Sequence, residues 1–148
     1  MRLLNWLGAA LAGIALAESA LAQNKVPAPR PLEALVKSSL LSFNDANVTG
    51  NYSVFHAKLS KPFRDQYPVE DLKQSFREFA EKRIDLVIIA AFSQVYEPPP
   101  KVDDDGKLVV KGYFPTEPVR VLFDLEYIPS DGQWKLLSIH VETTDRLK

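Results

Sequence analysis

The stretch VRVLFDLEYIPSDGQWKLLSIHVE, residues 119–142, carries the strongest structural signal in the chain. Two alternating runs rich in β-branched and aromatic residues flank Pro129-Ser130-Asp131-Gly132, and Asp-Gly is typical of hairpin turns because its glycine readily adopts positive φ. We therefore predict a long antiparallel β-hairpin closed by this four-residue turn. The remaining segments must pack around it.

The turn determines which hairpin residues face each other. We expect Tyr127 opposite Trp134 and Glu126 opposite Lys135, because an aromatic pair and an opposite-charge pair each contribute about 0.2–1 kcal/mol across strands. In this register one face of the hairpin is covered by helices, and it carries Val121, Phe123, Leu125, Tyr127, Trp134, Leu136, Ser138 and His140.

The register has one close alternative. A slip of one residue would turn His140 outward and bring Leu137, Ile139 and Val141 inward. The placement of His140 therefore depends on the register.

The first 22 residues differ in composition from the rest. Arg2 is followed by an apolar run over residues 7–17 and by Ala20-Leu21-Ala22, the pattern of a secretory signal peptide cleaved before Gln23. A membrane anchor is the alternative, but the apolar run is shorter than the about 20 residues that span a bilayer. We expect an exported protein, periplasmic or secreted, without membrane contact after cleavage.

The mature chain is predicted to be one domain. Residues 23–31 contain three prolines, which disfavour helix and sheet, and are predicted to be a tether before a domain over residues 32–148. A formal net charge of -1 argues against binding to nucleic acid or to an anionic membrane. The chain has no cysteine, which excludes disulfides and thiolate chemistry, so its stability must come from the core.

Apolar residues at three–four spacing predict helices in the first half of the domain. Residues 31–43 form the first helix, with Ser39 within its apolar stripe; residues 44–51 form a turn, and a short helix follows to about residue 59. This second helix buries Tyr52, Phe55 and Leu59. A loop over residues 60–68 and a third helix over residues 69–82 come next. Asn47 and Asn51 also match the N-glycosylation pattern, but capping of the next helix by Thr49 or Asn51 is the preferred explanation because it requires no glycosylation.

The second half of the domain is predicted to be a sheet. A β-branched run predicts a strand over residues 87–97, and residues 108–114 form another before the hairpin. Asp103-Asp104-Asp105-Gly106 is predicted to be a solvated turn. A calcium loop is the alternative, but it needs further oxygen ligands at loop spacing, and two lysines flank this trio instead. The fold class is therefore α+β, with three N-terminal helices on a four-stranded antiparallel meander.

This order of elements resembles the NTF2-like (cystatin-like cone, ketosteroid-isomerase-type) superfamily. The resemblance covers nearly all of residues 32–142, and FNDANVTGNYSVFH, PVEDLKQSF, KLVVKGYFPTEPVRVLFDLEY and DGQWKLLSIHVE carry it. It implies a cone with a curved sheet, a cavity between helices and sheet, and dimers through the outer sheet face. It implies no single activity, because related folds serve enzymes and binding domains alike.

A ligand pocket is expected inside the cone, where small polar groups among aromatic ones orient a ligand. The resemblance also implies an inward carboxylate for catalysis, but Asp124 and Glu126 fall on the predicted outer face. A catalytic role would then depend on His140 alone, without an orienting carboxylate. The sequence indicates neither a metal site nor a cofactor. The candidate pocket residues are Tyr52, His56, Tyr67, Phe92, Phe123, Tyr127, Trp134, Ser138 and His140.

Three functions are compatible with these patterns. The first is a non-catalytic exported binding domain for a small apolar or amphipathic molecule. The second is an isomerase or dehydratase using His140, with Tyr52 or His56. The third is a structural homodimer or partner-binding module, because the predicted outer face of the hairpin mixes an apolar stripe with charged edges. That stripe comprises Leu122, Leu137, Ile139 and Val141.

Overall fold

The computed structural model describes residues 24–145, so the predicted signal peptide lies outside the described residues. Within that range, five α-helices and one 3-10 helix precede five strands, which confirms the α+β class with more elements than predicted. The helices are α1 Pro29–Thr49, α2 Ser53–Lys58, α3 Lys61–Gln66, α4 Val69–Ser75, α5 Arg77–Glu81 and the 3-10 helix Val87–Ala91. The strands are β1 Val95–Tyr96, β2 Lys101–Val102, β3 Leu108–Phe114, β4 Val119–Ser130 and β5 Gln133–Asp145.

The described strands form one antiparallel sheet. Its order is β1-β3-β4-β5, and β2 pairs with the other end of β3, so β1 and β2 share one neighbour. Gly112 on β3 is required there, because a Cβ at this position would lie 1.9 Å from the carbonyl oxygen of Val95 on β1. The sheet therefore ends at β1 and β2 on one side and at β5 on the other.

The β4–β5 hairpin is present, but its register differs from the prediction. The turn contains only Asp131 and Gly132, both at positive φ (54° and 75°), and Ser130 pairs with Gln133. Two positive φ angles are typical of a type I′ turn, whose twist matches that of the flanking strands. Tyr127 therefore faces Leu136, and the predicted pair of Tyr127 with Trp134 is wrong.

A β-bulge then shifts the second half of β5. Tyr127 pairs with Leu136 while Glu126 pairs with Ser138, so Leu137 is an extra residue on β5. The parity of the strand changes at this point, because one extra residue exchanges the two faces. Ile139 and Val141 consequently point toward the helices, and Ser138 and His140 point away.

Helix α1 continues six residues beyond its predicted end and absorbs most of the predicted turn. Its buried asparagines explain this: Asn44 Nδ2 donates to Asp85 Oδ1 (2.8 Å), and Asn44 Oδ1 accepts from the main-chain N–H of Leu86 (2.7 Å). These tertiary hydrogen bonds outweigh the preference of asparagine for turns. The helix ends at Gly50, which adopts left-handed geometry (φ 73°).

Three further predictions were wrong in detail. The expected loop over residues 60–68 contains helix α3, and the expected third helix is interrupted at Phe76, giving α4 and α5. Of the strand predicted over residues 87–97, only β1 forms. Residues 87–91 form a 3-10 helix in which Ile89 is buried while Val87 and Ile88 are 60% and 47% exposed.

The core lies between the helices and one face of the sheet. On β4 the alternating residues Val121, Phe123, Leu125 and Tyr127 are at most 3% exposed, as the alternation predicted. Tyr52, Phe55 and Leu59 are buried beside them, which confirms the predicted inward face of the second helix. These buried side chains form one continuous cluster between the helices and the sheet.

Candidate functional site

A cleft of about 310 Å³ lies between helix α1 and the turn end of the β4–β5 hairpin. We call it the hairpin cleft. Its volume is at the lower end of the range for small-molecule pockets. Its lining comprises Leu35, Ser38, Ser39, Ser42, Phe55, Ala57, Lys58, Leu59, Tyr127, Gln133, Trp134, Lys135 and Leu136.

Three serines explain why the cleft stays open. Helix periodicity places Ser38, Ser39 and Ser42 on the side of α1 that faces the hairpin. Their side chains are too short to fill the gap that leucine or phenylalanine would fill at the same positions. Below them the floor is apolar and is formed by Leu35, Phe55, Leu59 and Leu136.

A hydrogen-bond chain joins the two walls of the cleft. The hydroxyl of Tyr127 donates to Ser39 Oγ (2.9 Å), and Ser39 Oγ donates to the main-chain oxygen of Leu35 (2.8 Å). Burial raises the pKa of the Tyr127 phenol far above its ordinary value, so the hydroxyl remains protonated. Tyr127 is therefore a fixed donor, and the proton of Ser39 is already committed.

The charge at the cleft comes from Lys58. Its ammonium group donates to Ser42 Oγ (2.8 Å) at the exposed rim. Lys135 also borders the cleft, but strand alternation places its side chain on the face opposite Trp134, and its ammonium lies 3.0 Å from Asp131 Oδ2. Among the described lining residues there is no aspartate or glutamate. The cleft thus combines an apolar floor with hydroxyl groups and one available cation.

The structure brings two of the predicted pocket residues into this cleft, Tyr127 and Trp134. Phe123 instead packs in the core, with its ring centroid 5.5 Å from that of Phe114. Tyr52 is buried and its hydroxyl donates to Asn47 Oδ1. Phe92 packs against the edge of the core and is half-buried.

The remaining four candidates, like Phe123, Tyr52 and Phe92, lie outside the hairpin cleft. Tyr67 is 37% exposed, and its ring packs edge-on against Phe63 at 5.4 Å. His56 is half-buried, and its Nε2 is buried without a hydrogen-bond partner in the described chain. The predicted inward placement of Ser138 and His140 is wrong, because the bulge turns both to the outer face, where His140 Nε2 lies 2.9 Å from Glu142 Oε1.

The outer face of the sheet also differs from the prediction. Ile139 and Val141 leave the predicted apolar stripe and join the inner face. Ion pairs dominate the outer face instead: Lys111 lies 3.2 Å from Asp124, and Lys107 lies 3.5 Å from Glu126. In addition, the guanidinium of Arg120 stacks 4.2 Å over the ring of Tyr113. The outer face thus carries ion pairs beside Leu122 and Tyr113, in place of the continuous apolar stripe that was predicted.

Neither a metal site nor a membrane helix is found between residues 24 and 145. In that range no three side chains of the metal-binding types are grouped to hold an ion, and no helix combines the length and apolarity needed to cross a bilayer. At the acidic trio, Asp103 Oδ1 accepts from the main-chain N–H groups of Asp105 and Lys107 (3.0 and 2.9 Å), which stabilises the predicted turn.

Sequence reasoning missed Ser38, Ser42 and Lys58 as site residues. One signal was available: Ser39 lies within the apolar stripe of the first helix, where a polar residue marks either a buried hydrogen bond or a gap in the core. The structure shows both a buried hydrogen bond at Ser39 and a gap in the core beside it.

Comparison of the chain with protein-family models, curated proteins and solved structures gave no match.

Proposed function

We propose that this protein is a non-catalytic binding domain that holds a small amphipathic molecule with an acidic group in the hairpin cleft. The observation that carries the proposal is the composition of the cleft. Apolar side chains and Trp134 form the floor and one wall, and the serine hydroxyls and Lys58 lie on the other side. A ligand with an apolar body and an anionic end would match both surfaces.

The available polar groups favour an anion over a cation. Lys58 offers an ammonium group, which is a donor only, and hydroxyl groups also donate readily. A cationic ligand would meet Lys58 without a lining carboxylate to compensate it. A neutral apolar molecule would contact the apolar floor but would make no hydrogen bond or ionic contact with Lys58 and the serines at the rim.

Catalysis has no comparable support. Ser39 receives a hydrogen bond from Tyr127 and donates its own proton to Leu35, so no base is placed to activate it. The second hypothesis required His140 inside the cone. Its side chain is 67% exposed on the outer face, so an isomerase or dehydratase based on His140 loses its geometric basis.

Family membership and export are parts of the same proposal. The succession of helices and an antiparallel meander, with helices on one face of the sheet, supports kinship with the NTF2-like superfamily. The composition of residues 1–22 supports export with cleavage before Gln23. The division into signal peptide, tether and domain likewise remains a prediction, although helix α1 begins at Pro29, within the predicted tether.

The fluorescence of Trp134 provides a direct test. The chain has two tryptophans, Trp6 and Trp134, so a Trp6→Phe variant reports on the cleft alone. We expect octanoate to change the Trp134 emission saturably and to bind more tightly than octanol, which has the same chain length without the charge. The proposal fails if neither probe gives a saturable change.

Two substitutions separate the contributions of shape and charge. Ser42→Leu should fill the cleft and abolish octanoate binding, whereas Ser93→Leu, at an exposed serine outside the cleft, should not. Lys58→Gln should weaken octanoate binding by about two- to fivefold, the range for an exposed ionic contact, and should leave octanol binding unchanged. Lys61→Gln is the matched control, because Lys61 pairs with Asp65 outside the cleft. Equal losses in the two lysine variants would contradict an anion contact at Lys58.

A further inference from the structure

Strand β5 forms an open edge of the described sheet, and its two halves differ in how well they are protected from pairing with another strand. In the first half, the main-chain N–H of Ser60 donates to the oxygen of Leu136 (2.9 Å), and the bulge at Leu137 follows. Both features protect an edge from further pairing. Beyond Ser138, no main-chain hydrogen bond from outside the β4–β5 ladder reaches β5 in the described residues. The second half thus presents unpaired main-chain groups.

The sequence of this open half favours pairing with another strand. Residues 138–144, SIHVETT, include four β-branched residues and contain no proline, glycine or lysine, the residues that commonly protect sheet edges or weaken strands. Their side chains alternate: Ile139 and Val141 point to the helices, and Ser138, His140 and Glu142 point to the exposed outer face. An added strand would meet an apolar side and a charged side.

We propose that a second copy of this chain pairs antiparallel with this edge about a two-fold axis at Val141. In that register His140 lies opposite the partner's Glu142, and Glu142 lies opposite the partner's His140. The contact within one chain, 2.9 Å between His140 Nε2 and Glu142 Oε1, would extend into a row of two imidazoles and two carboxylates across the axis. Complementary side-chain pairs directly across from each other stabilise antiparallel pairing.

The neighbouring registers lack this complementarity. A two-fold axis at Glu142 would place two glutamates directly opposite each other, which is destabilising. An axis at His140 would pair the two histidines and leave Glu142 opposite the partner's Ser138. The axis at Val141 is the one of these three positions that pairs each imidazole with a carboxylate.

The helix-covered side of the edge offers two grooves of mixed polar and apolar lining for the added strand. One groove of about 280 Å³ lies between β5 and Phe63, Leu72 and Phe76, and another of about 220 Å³ lies beside Phe79 and Ile84. In the proposed register the partner's Ile139 lies beside Thr143, which borders the second groove. Pairing would thus cover half-buried aromatic and aliphatic side chains that the monomer leaves accessible.

Engineered cysteines test the register directly, because the chain contains none of its own. Mixing His140→Cys with Glu142→Cys chains and oxidising them should give a disulfide-linked heterodimer, since the two positions face each other across the axis. Either variant oxidised alone should give far less dimer. Both positions are exposed, so folding should be unaffected. Equal cross-linking in the single variants and in the mixture would overturn the register.

Charge reversal tests the energetics. Sedimentation equilibrium of the wild type should show a monomer–dimer equilibrium, and Glu142→Lys should raise the dimer Kd by about tenfold through the loss of both imidazole–carboxylate pairs. The double variant His140→Glu/Glu142→Lys restores opposite charges and should restore the dimer. A wild type that stays monomeric at its highest soluble concentration would overturn the proposal. The proposal would also be overturned if a different protein paired with this edge. Hydrogen exchange would then show protection of residues 138–144 in a hetero-complex, while this chain alone formed no dimer.

Discussion

Helix α1 packs in different ways toward its C-terminus and at its middle. Near the C-terminus, the ring of Phe43 contacts those of Phe76 and Phe79 edge-on, with centroid distances of 4.8 and 5.0 Å. At the middle, hydroxyl groups replace rings, and the hairpin cleft opens between the helix and the hairpin. The same helix therefore closes one end of the helix–sheet interface and leaves the other end accessible. Side-chain size along one helix determines where this fold has room for a ligand.

The closed end should be the more sensitive to mutation. Phe43→Ala removes a fully buried ring with three aromatic neighbours and should lower the free energy of unfolding by about 3–5 kcal/mol. Urea unfolding followed by circular dichroism measures this loss. Val48→Ala is the control, because Val48 lies on the same helix and is 59% exposed; it should change stability by less than about 0.5 kcal/mol. Similar losses in the two variants would contradict the packing at this end.

Asn44 should have the next largest effect. Asn44→Ala removes an acceptor from the buried N–H of Leu86 and a donor from Asp85, and should cost about 1–3 kcal/mol. The exposed neighbour Asp45 provides the control variant Asp45→Ala. If Asn44→Ala were as stable as that control, the extension of α1 beyond Phe43 would not depend on Asn44.

The same contact predicts a pH dependence. The hydrogen bond from Asn44, and then that from the main-chain N–H of Val87, lower the pKa of Asp85 below its ordinary value. A carboxyl group whose folded pKa is lowered adds stability above its unfolded pKa, about 3.9, and that stability is lost as pH falls through the folded value. Asn44→Ala should reduce this acid-dependent loss. An unchanged slope of stability against pH below about pH 4 would contradict the assignment.

At the open end, the link between Tyr127 and Ser39 should have a smaller effect. Tyr127→Phe removes one hydrogen bond and should cost about 0.5–1.5 kcal/mol. Ser39→Ala leaves the buried phenol without its acceptor, while the double variant removes both groups. We therefore expect a coupling free energy of at least about 0.5 kcal/mol between the two residues in a double-mutant cycle. Additive losses would mean that the two walls of the cleft are not joined by this bond.

Ser42 should have the smallest effect on stability. Its hydroxyl accepts from Lys58 at the exposed rim, so Ser42→Ala should change the free energy of unfolding by less than about 0.5 kcal/mol. Thermal unfolding measures this. A large loss would show that the serine is part of the core, and the contrast between the middle and the C-terminal part of α1 would then disappear.

The inward faces were predictable where alternation or helical spacing was uninterrupted. Val121, Phe123, Leu125 and Tyr127 were predicted correctly, because a strand with one buried face must alternate. Residues 108–114 likewise form a strand as predicted. The resulting class, α+β with helices before the sheet, follows from these periodicities alone.

The errors arose where distant contacts overrode local preference. The β-branched run at residues 87–91 resembles a strand, but it has no strand partner and forms a 3-10 helix. Asparagine favours turns, but Asn44 stabilises a helix by bonding residues 41 and 42 positions away. Local composition contains neither partner, so neither outcome could be derived from it.

The candidate site was predicted only in part for the same reason. Tyr127 and Trp134 were identified because both precede the bulge, and Ser138 and His140 were misplaced because both follow it. The spacing of Leu136, Ile139 and Val141 contains a trace of the bulge, since one interval is three instead of two. The cleft itself depends on how α1 lies against the hairpin, which no local pattern encodes.

The bulge at Leu137 also has a consequence for chain length. Because the extra residue lies between Leu136 and Ser138, deleting it would leave every other side chain of the hairpin on its present face. A natural variant shorter by one residue at this position would therefore keep the core, but it would lose the bulge that protects the first half of the edge. An alignment without a gap would match inward residues of one chain with outward residues of the other in the last part of β5. A single gap at position 137 keeps residues on the same face aligned.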